Sequence, residues 1–287
     1  MFRYTDVFGS VMNLTAKKSL GQNFLVDEKA RTRIARAAGI AEGDIVIEIG
    51  PGTGLLTKEL LEFPLKKLVA FEVDERAVEL LREEIRDERF EVRSADFLNV
   101  EISALYNEFG AKLKVIGNIP YYITSPILFK LIDDRRHITD ATLLIQLEVA
   151  ERLTASPRTK AYGIPTVLAN FFGDVKMLFK VKAGCFRPVP NVDSALVTID
   201  FQNDYFTRTG QTAPEGFDPK IFQSFVRLMF GMRRKMLRNN LKSFLSAELL
   251  TRAAEQPEII PYLTRRAEEL DVAHFLALYR NVEEIRE

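Results

Sequence analysis

The sequence predicts an α/β protein, with a mainly parallel sheet carrying helices on both faces and a small all-helical domain after it. Three observations lead there. Apolar strand-like runs alternate with helical patterns through the first two-thirds of the 287 residues, and this alternation builds parallel sheets. A polar stretch rich in Asn, Thr, Gly and Pro interrupts the pattern at 202–218 and reads as a linker. From Pro219 onward the periodicity is helical and no strand pattern recurs. The expected division is therefore a first domain over 1–201, a linker over 202–218 and a helical domain over 219–287.

In chain order, Gly21-Gln22-Asn23-Phe24-Leu25 leads into a helical pattern over 27–38. It can lie over a bound ligand, or simply start the helix with Asp27 as its cap. The run 45–49 reads as a strand and is followed by Glu48-Ile49-Gly50-Pro51-Gly52-Thr53-Gly54 and a helical pattern over 55–61. Glycines there allow a tight turn and close approach of backbone to ligand. The spacing is G-x-G-x-G with an acid upstream, unlike the G-x-G-x-x-G of nicotinamide binders. Glu72 ends the next strand, 68–71, and a carboxylate, which only accepts hydrogen bonds, suits paired ribose hydroxyls. A helical pattern over 75–86 follows. Asp96 then ends a third strand, where it suits an adenine amine.

The fourth strand, over 113–116, runs into Asn118-Ile119-Pro120-Tyr121. This puts an amide, a carbonyl fixed by Pro120 and an aromatic ring at a strand's carboxyl end, where open α/β sheets bind ligands. Asn118 and the Ile119 carbonyl can accept the two hydrogens of an exocyclic amine, and Tyr121 can stack on the base. Further strands are expected over 141–147, 175–181 and 195–201. The last two are joined by 185–193 without a helix, as an antiparallel hairpin with a long loop. That loop, Phe186-Arg187-Pro188-Val189-Pro190-Asn191-Val192-Asp193-Ser194, is stiffened by two prolines. Phe186 can close the base face opposite Tyr121, a stack contributing roughly 1–3 kcal/mol, or it can pack in the core.

Composition sets limits on function. With 47% hydrophobic and 28% charged residues the chain is ordinary globular protein, and no apolar run nears the ~18 residues of a membrane helix. Arg3 suits a mitochondrial presequence and Asp6 does not, so a cytoplasmic location is expected. A single cysteine, Cys185, gives no disulfide framework and no thiolate metal site, and His137 and His274 lie outside every motif. No metal and no histidine base are expected. Net charge is zero, yet no acid occurs between Asp218 and Glu248, while Lys220, Arg227, Arg233, Arg234, Lys235, Arg238 and Lys242 do. A one-signed stretch of this kind is a candidate phosphate-binding face, or a solvated helix face.

These motifs together resemble the ribosomal RNA adenine dimethyltransferase family, and most of all its bacterial small-subunit, kasugamycin-sensitivity branch. The resemblance covers nearly the whole chain, from 20–25 through 48–54, 118–126 and 186–194 to Phe230-Gly231-Met232-Arg233-Arg234-Lys235 and Leu237-Arg238-Asn239. It implies a Rossmann-like class I methyltransferase domain that takes S-adenosylmethionine at Asn23, Leu25, Gly50, Gly52, Glu72, Asp96 and Asn118. The target adenine would lie between Tyr121 and Phe186, with Asn118, Ile119 and Pro120 at its amine. Arg233, Arg234, Lys235 and Arg238 would contact RNA. The implied act is dimethylation of two adjacent adenosines in a hairpin loop near the 3′ end of 16S ribosomal RNA, by a monomer working on the assembling small subunit. Tyr122 and Met236 depart from residues common in the family. Two other readings share the fold. One is a large-subunit methyltransferase of the macrolide-resistance type, against which Ser125-Pro126 and the Arg-Arg-Lys segment speak. The other is a non-catalytic assembly or transcription factor, against which the intact Gly turn, Glu72, Asp96 and Asn118 speak.

Overall fold

The structure is a computed structural model. It describes residues 14–286 and, before them, the backbone of a two-residue antiparallel ladder, Tyr4–Thr5 with Val11–Met12. Arg3 and Asp6, on which the presequence expectation turned, lie outside the described residues. The chain divides into two compact units, 1–150 with 176–202, and 151–175 with 203–287.

The first unit is built on a seven-stranded mixed sheet. Its strands are β1 (Ile45–Ile49), β2 (Lys67–Glu72), β3 (Phe90–Ser94), β4 (Leu113–Asn118), β5 (Ile138–Gln146), β6 (Asp174–Val181) and β7 (Ser194–Asp200), in the order 3-2-1-4-5-7-6. β1 to β5 run parallel, and β7 pairs antiparallel with β5. β6 and β7 are neighbours, as the hairpin reading expects, and β7 is inserted between β5 and β6. The intervening loop contains a single 3-10 turn, Ala183–Cys185, and a two-residue strand, Phe186–Arg187, that pairs with Phe24–Leu25.

β1 is buried along its whole length. A mostly apolar strand buried on both faces is what a central parallel position requires, and Glu48 is its one polar member. Helices α1 (Glu28–Ala37), α2 (Leu55–Leu61), α3 (Glu75–Glu84), α4 (Ile102–Phe109) and α5 (Thr124–Asp133) flank the sheet. Asp27 caps α1 by accepting from the Ala30 amide at 2.8 Å, and Asp74 caps α3 by accepting from the Arg76 amide. The order 3-2-1-4 puts four carboxyl ends side by side, with the strand order reversing between β1 and β4. Such reversals open a crevice for ligands.

α6 (Leu147–Leu153) crosses from the first unit into the second. The second unit contains α7 (Ile164–Phe172), α8 (Tyr205–Thr209), α9 (Pro219–Met229), α10 (Leu237–Leu241), α11 (Ala247–Glu255), α12 (Ile260–Leu263) and α13 (Val272–Arg286). Its division differs from the expected one in two places, for one reason. Phe171 on α7 packs at 4.3 Å between ring centroids from Phe222 on α9, and at 5.7 Å from Tyr205 on α8. These aromatics draw 151–175 into the helical unit. They also fold part of the expected linker into a helix, whose first turn Asp204 caps by accepting from the Thr207 amide.

Candidate functional site

The four adjacent strand ends open into one cavity of about 300 Å³, lined by Asn23, Leu25, Gly50, Gly52, Glu72, Asp96, Asn118, Ile119, Pro120 and Tyr121 among others. Residues from Asn23 to Tyr121 meet there because the strands are parallel and in register. Ile49 lies opposite Phe71 and Gly117, and Glu72 opposite Ser94.

The glycine turn is fixed by a carboxylate. Gly50 and Gly52 have φ of +64° and +56°, a region that side chains rarely adopt. A Cβ on Gly52 would stand 3.0 Å from the Phe24 ring. Glu72 is 5% exposed. Its Oε2 accepts from the Gly52 amide at 3.1 Å, and its Oε1 from the amides of Val73 and Asp74 at 2.9 Å each. A carboxylate has about four acceptor positions, so one remains, on Oε2, beside the glycine turn. Burial pushes the Glu72 carboxyl above its ordinary value, and the three amides hold it back. Glu48, on β1, is buried, and its Oε2 accepts from the Thr57 hydroxyl at 2.7 Å. Burial, opposed by the Thr57 bond and reinforced by the Glu72 charge, pushes its pKa up to about 8. Asp96 is exposed and caps a short 3-10 turn, with Oδ1 accepting from Leu98 at 2.9 Å. The carboxylate's other oxygen is left for a ligand amine.

At the end of β4 the Asn118 amide is oriented by its own donor. Nδ2 donates to the Asn23 carbonyl at 2.9 Å, which turns Oδ1 away from it. Among the described residues no protein group donates to Asn118 Oδ1 or to the Ile119 carbonyl. Ile119 is anchored by its amide, which donates to Leu144 at 3.0 Å. The Tyr121 hydroxyl lies 3.1 Å from that of Ser194, at the start of β7, and fixes the ring's angle.

Leu20 to Leu25 all line the cavity. Asp27 also caps α1, as the helix-entry reading expects. The segment is tied down at Asp74, which is 1% exposed. Lys17 Nζ donates to its Oδ1 at 3.1 Å, Gln22 Nε2 to its Oδ2 at 3.2 Å and Arg76 Nη2 to its Oδ2 at 2.6 Å. The Arg76 and Lys17 cations hold the Asp74 carboxyl well below the usual range, against its burial.

One expectation changes. Phe186 does not line the cavity. It is 1% exposed, in a core cluster with Leu25, Val181 and Leu196, because its pairing with Leu25 turns the ring inward. The packing alternative is the one realised. Arg233 is exposed, with Nε paired to Glu268 at 2.9 Å and Nη2 donating to the Lys160 carbonyl at 2.7 Å. Arg234, Lys235 and Arg238 are exposed. Arg233, Arg234 and Lys235 occupy the turn between α9 and α10 rather than a helix face, and Asn240 holds that turn by accepting from the Met232 amide at 3.0 Å.

Sequence reasoning missed Asp74, Lys17, Phe24 and Tyr122. Asp74 stands two residues beyond Glu72, a spacing that offered a signal. Its partners, up to 57 residues away, offered none.

The donor set fits an adenosyl cofactor, with acceptors at the ends of β2 and β3, an approachable glycine turn after β1 and an apolar wall from Phe24, Leu25 and Phe97. The ribosomal RNA adenine dimethylase profile matches residues 13–282. A ribosomal RNA small subunit methyltransferase A from Chlorobium phaeobacteroides (strain BS1) is 42% identical over 94% of this chain and 94% of its own. Among solved structures, a dimethyladenosine transferase from Plasmodium falciparum has TM-score 0.75 at 26% identity, covering 92% of this chain and 98% of that one. The 23S rRNA methyltransferase ErmE has TM-score 0.65 at 27% identity, covering 91% and 100%.

Proposed function

The chain belongs to the ribosomal RNA adenine dimethylase family, and on that premise we propose that it dimethylates two adjacent adenosines in a hairpin loop near the 3′ end of 16S ribosomal RNA. It is an S-adenosylmethionine-dependent enzyme of ribosomal RNA methylation. The observation that carries the assignment of chemistry is the pair of unclaimed acceptors, Asn118 Oδ1 and the Ile119 carbonyl, held at the cavity end of β4.

An adenine exocyclic amine is a weak nucleophile because its lone pair is delocalised into the ring. Accepting both amine hydrogens favours a pyramidal nitrogen whose lone pair is available. Asn118 and Ile119 do this, while Tyr121 supports one face of the base. S-adenosylmethionine would supply an electrophilic methyl group on a sulfonium; its sulfur would leave as a neutral thioether, needing no general acid, and the methylated nitrogen would release its surplus proton to solvent. Glu72 and Asp96 accept from the cofactor's hydroxyls and amine. The site's contribution is positioning, which can lower a barrier by several kcal/mol. The target base must leave its stack, and a loop nucleotide does so at least cost.

A small-subunit target is supported by the 42% identity to a small-subunit enzyme, against 27% to a large-subunit one. The enzyme acts as a cytoplasmic monomer on the assembling subunit, with Arg234, Lys235 and Arg238 toward RNA phosphates. Among the described residues no helix is long and apolar enough to cross a membrane.

Two experiments test this. Primer extension across 16S and 23S RNA, after subunits are incubated with enzyme and cofactor, should stop at two adjacent adenosines of 16S RNA, and stops confined to 23S RNA would refute the target. Asn118→Ala should remove most methyl transfer from a folded protein. A single-turnover rate within about threefold of the parent means a lost barrier contribution under ~1 kcal/mol, and the role assigned to Asn118 is then wrong.

A further inference from the structure

Tyr122 is 60% exposed, the most open of the large apolar side chains described, and it lines the cavity beside Tyr121. Its ring rests along one edge on Gly21, where a Cβ would stand 3.1 Å from Cδ1 and 3.2 Å from Cε1. Its hydroxyl has no protein partner among the described residues. The turn that carries it is fixed: the Ile123 amide donates to the Pro120 carbonyl at 3.1 Å, and the Thr124 hydroxyl donates to the carbonyls of Pro120 and Tyr121. A bare aromatic surface on a rigid turn is therefore displayed at the rim of the site, where packing alone gives no reason for it.

Its place in the sheet order says which ligand it meets. The acids suited to the cofactor, Glu72 and Asp96, end β2 and β3, on one side of β1. Tyr122 follows β4, on the other side, next to the amine acceptors. We propose that Tyr122 is a second base platform, stacking on the nucleotide adjacent to the target adenosine. The inference rests on the ribosomal RNA adenosine reading above. When a base enters a pocket, its neighbour loses a stacking partner. A fixed, exposed ring at the rim restores that stack with little ordering cost and tolerates any base, because every base has a π-face. The second of two adjacent adenosines would be held there while the first reacts.

The test is a cycle between protein and RNA. Filter binding uses the full chain, S-adenosylhomocysteine and a 16S hairpin RNA, with an abasic residue placed in turn at each neighbour of the target. In the parent, one abasic position should weaken binding by roughly 5- to 150-fold, the span of a base–aromatic stack. Tyr122→Ala should weaken binding of intact RNA by a similar factor and show no further loss at that position. Tyr122→Phe should match the parent, and calorimetric cofactor affinity should be equal in all three proteins. The inference is overturned if no abasic position matters in the parent, or if the two losses multiply. It is equally overturned if Phe fails as Ala does, or if Ala weakens cofactor rather than RNA. Failure of the underlying reading is a separate result, in which the parent transfers no methyl group to small-subunit particles.

Discussion

Replacing Glu48 with Gln tests whether the acid beneath the glycine turn is protonated at neutral pH. In an unfolded chain its pKa is the ordinary 4.5, and in the folded protein burial pushes it to about 8. Between those values the native state binds a proton that the unfolded state has released, so stability falls as pH rises. The contribution is fully present below about 4.5 and is lost progressively toward about 8. At about 1.36 kcal/mol per pH unit, the ceiling on that loss is roughly 5 kcal/mol. Gln cannot ionise and keeps an oxygen to accept from the Thr57 hydroxyl, so it should escape the loss. Urea unfolding of both proteins at about pH 5 and about pH 8 isolates the effect, since the remaining groups titrate in both. The variant's stability relative to the parent should rise by at least ~2 kcal/mol between the two conditions. A difference that stays constant within ~0.5 kcal/mol would mean that Glu48 is ionised throughout, and the account of its burial would be wrong.

Other perturbations act on named contacts. Glu72→Ala frees the amides of Gly52, Val73 and Asp74 and removes the remaining acceptor, so cofactor affinity should fall by about 1.5–3 kcal/mol; unchanged calorimetry removes Glu72 from the site. Asp74→Asn takes away the charge that binds Lys17 and Arg76. Hydrogen exchange should then speed up at Leu20 and Gln22, and exchange at parental rates there would show that Asp74 does not hold the segment. Ala at Arg234, Lys235 and Arg238 together should flatten the log–log salt dependence of RNA binding by roughly 2–3, about 0.7–0.9 for each phosphate no longer neutralised, with cofactor affinity unchanged. Arg233→Ala should instead lower the melting temperature of the helical unit, and an effect on salt slope alone would contradict its pairing with Glu268.

Much of the site was legible because parallel strands place function at their ends. Glu72, Asn118 and the glycine turn each follow a largely apolar strand, so locating those strands located the residues. Ile45–Ile49 and Leu55–Leu61 have the bounds the pattern gives. Phe186 was not legible, because whether a loop aromatic faces a ligand or the core depends on a two-residue pairing with Leu25. That pairing spans 161 positions of sequence and leaves no periodic trace. That 151–175 groups with the helical unit was not legible for a similar reason. Nothing local in Ile164–Phe172 distinguishes a helix that covers the sheet from one whose Phe171 packs on Phe222 and Tyr205. Asp74 caps α3, a local role. Its hold on Lys17 and Gln22 depends on where a segment without regular structure comes to rest.

The bond from Asn118 Nδ2 to the Asn23 carbonyl makes one residue serve two purposes. The strand end that, on the proposed reading, aims an acceptor at the amine is oriented by a backbone carbonyl of the segment that lines the same cavity. The geometry of the acceptor therefore depends on the position of Asn23, and a substitution that displaces that segment acts on Asn118 as well as on the cavity wall.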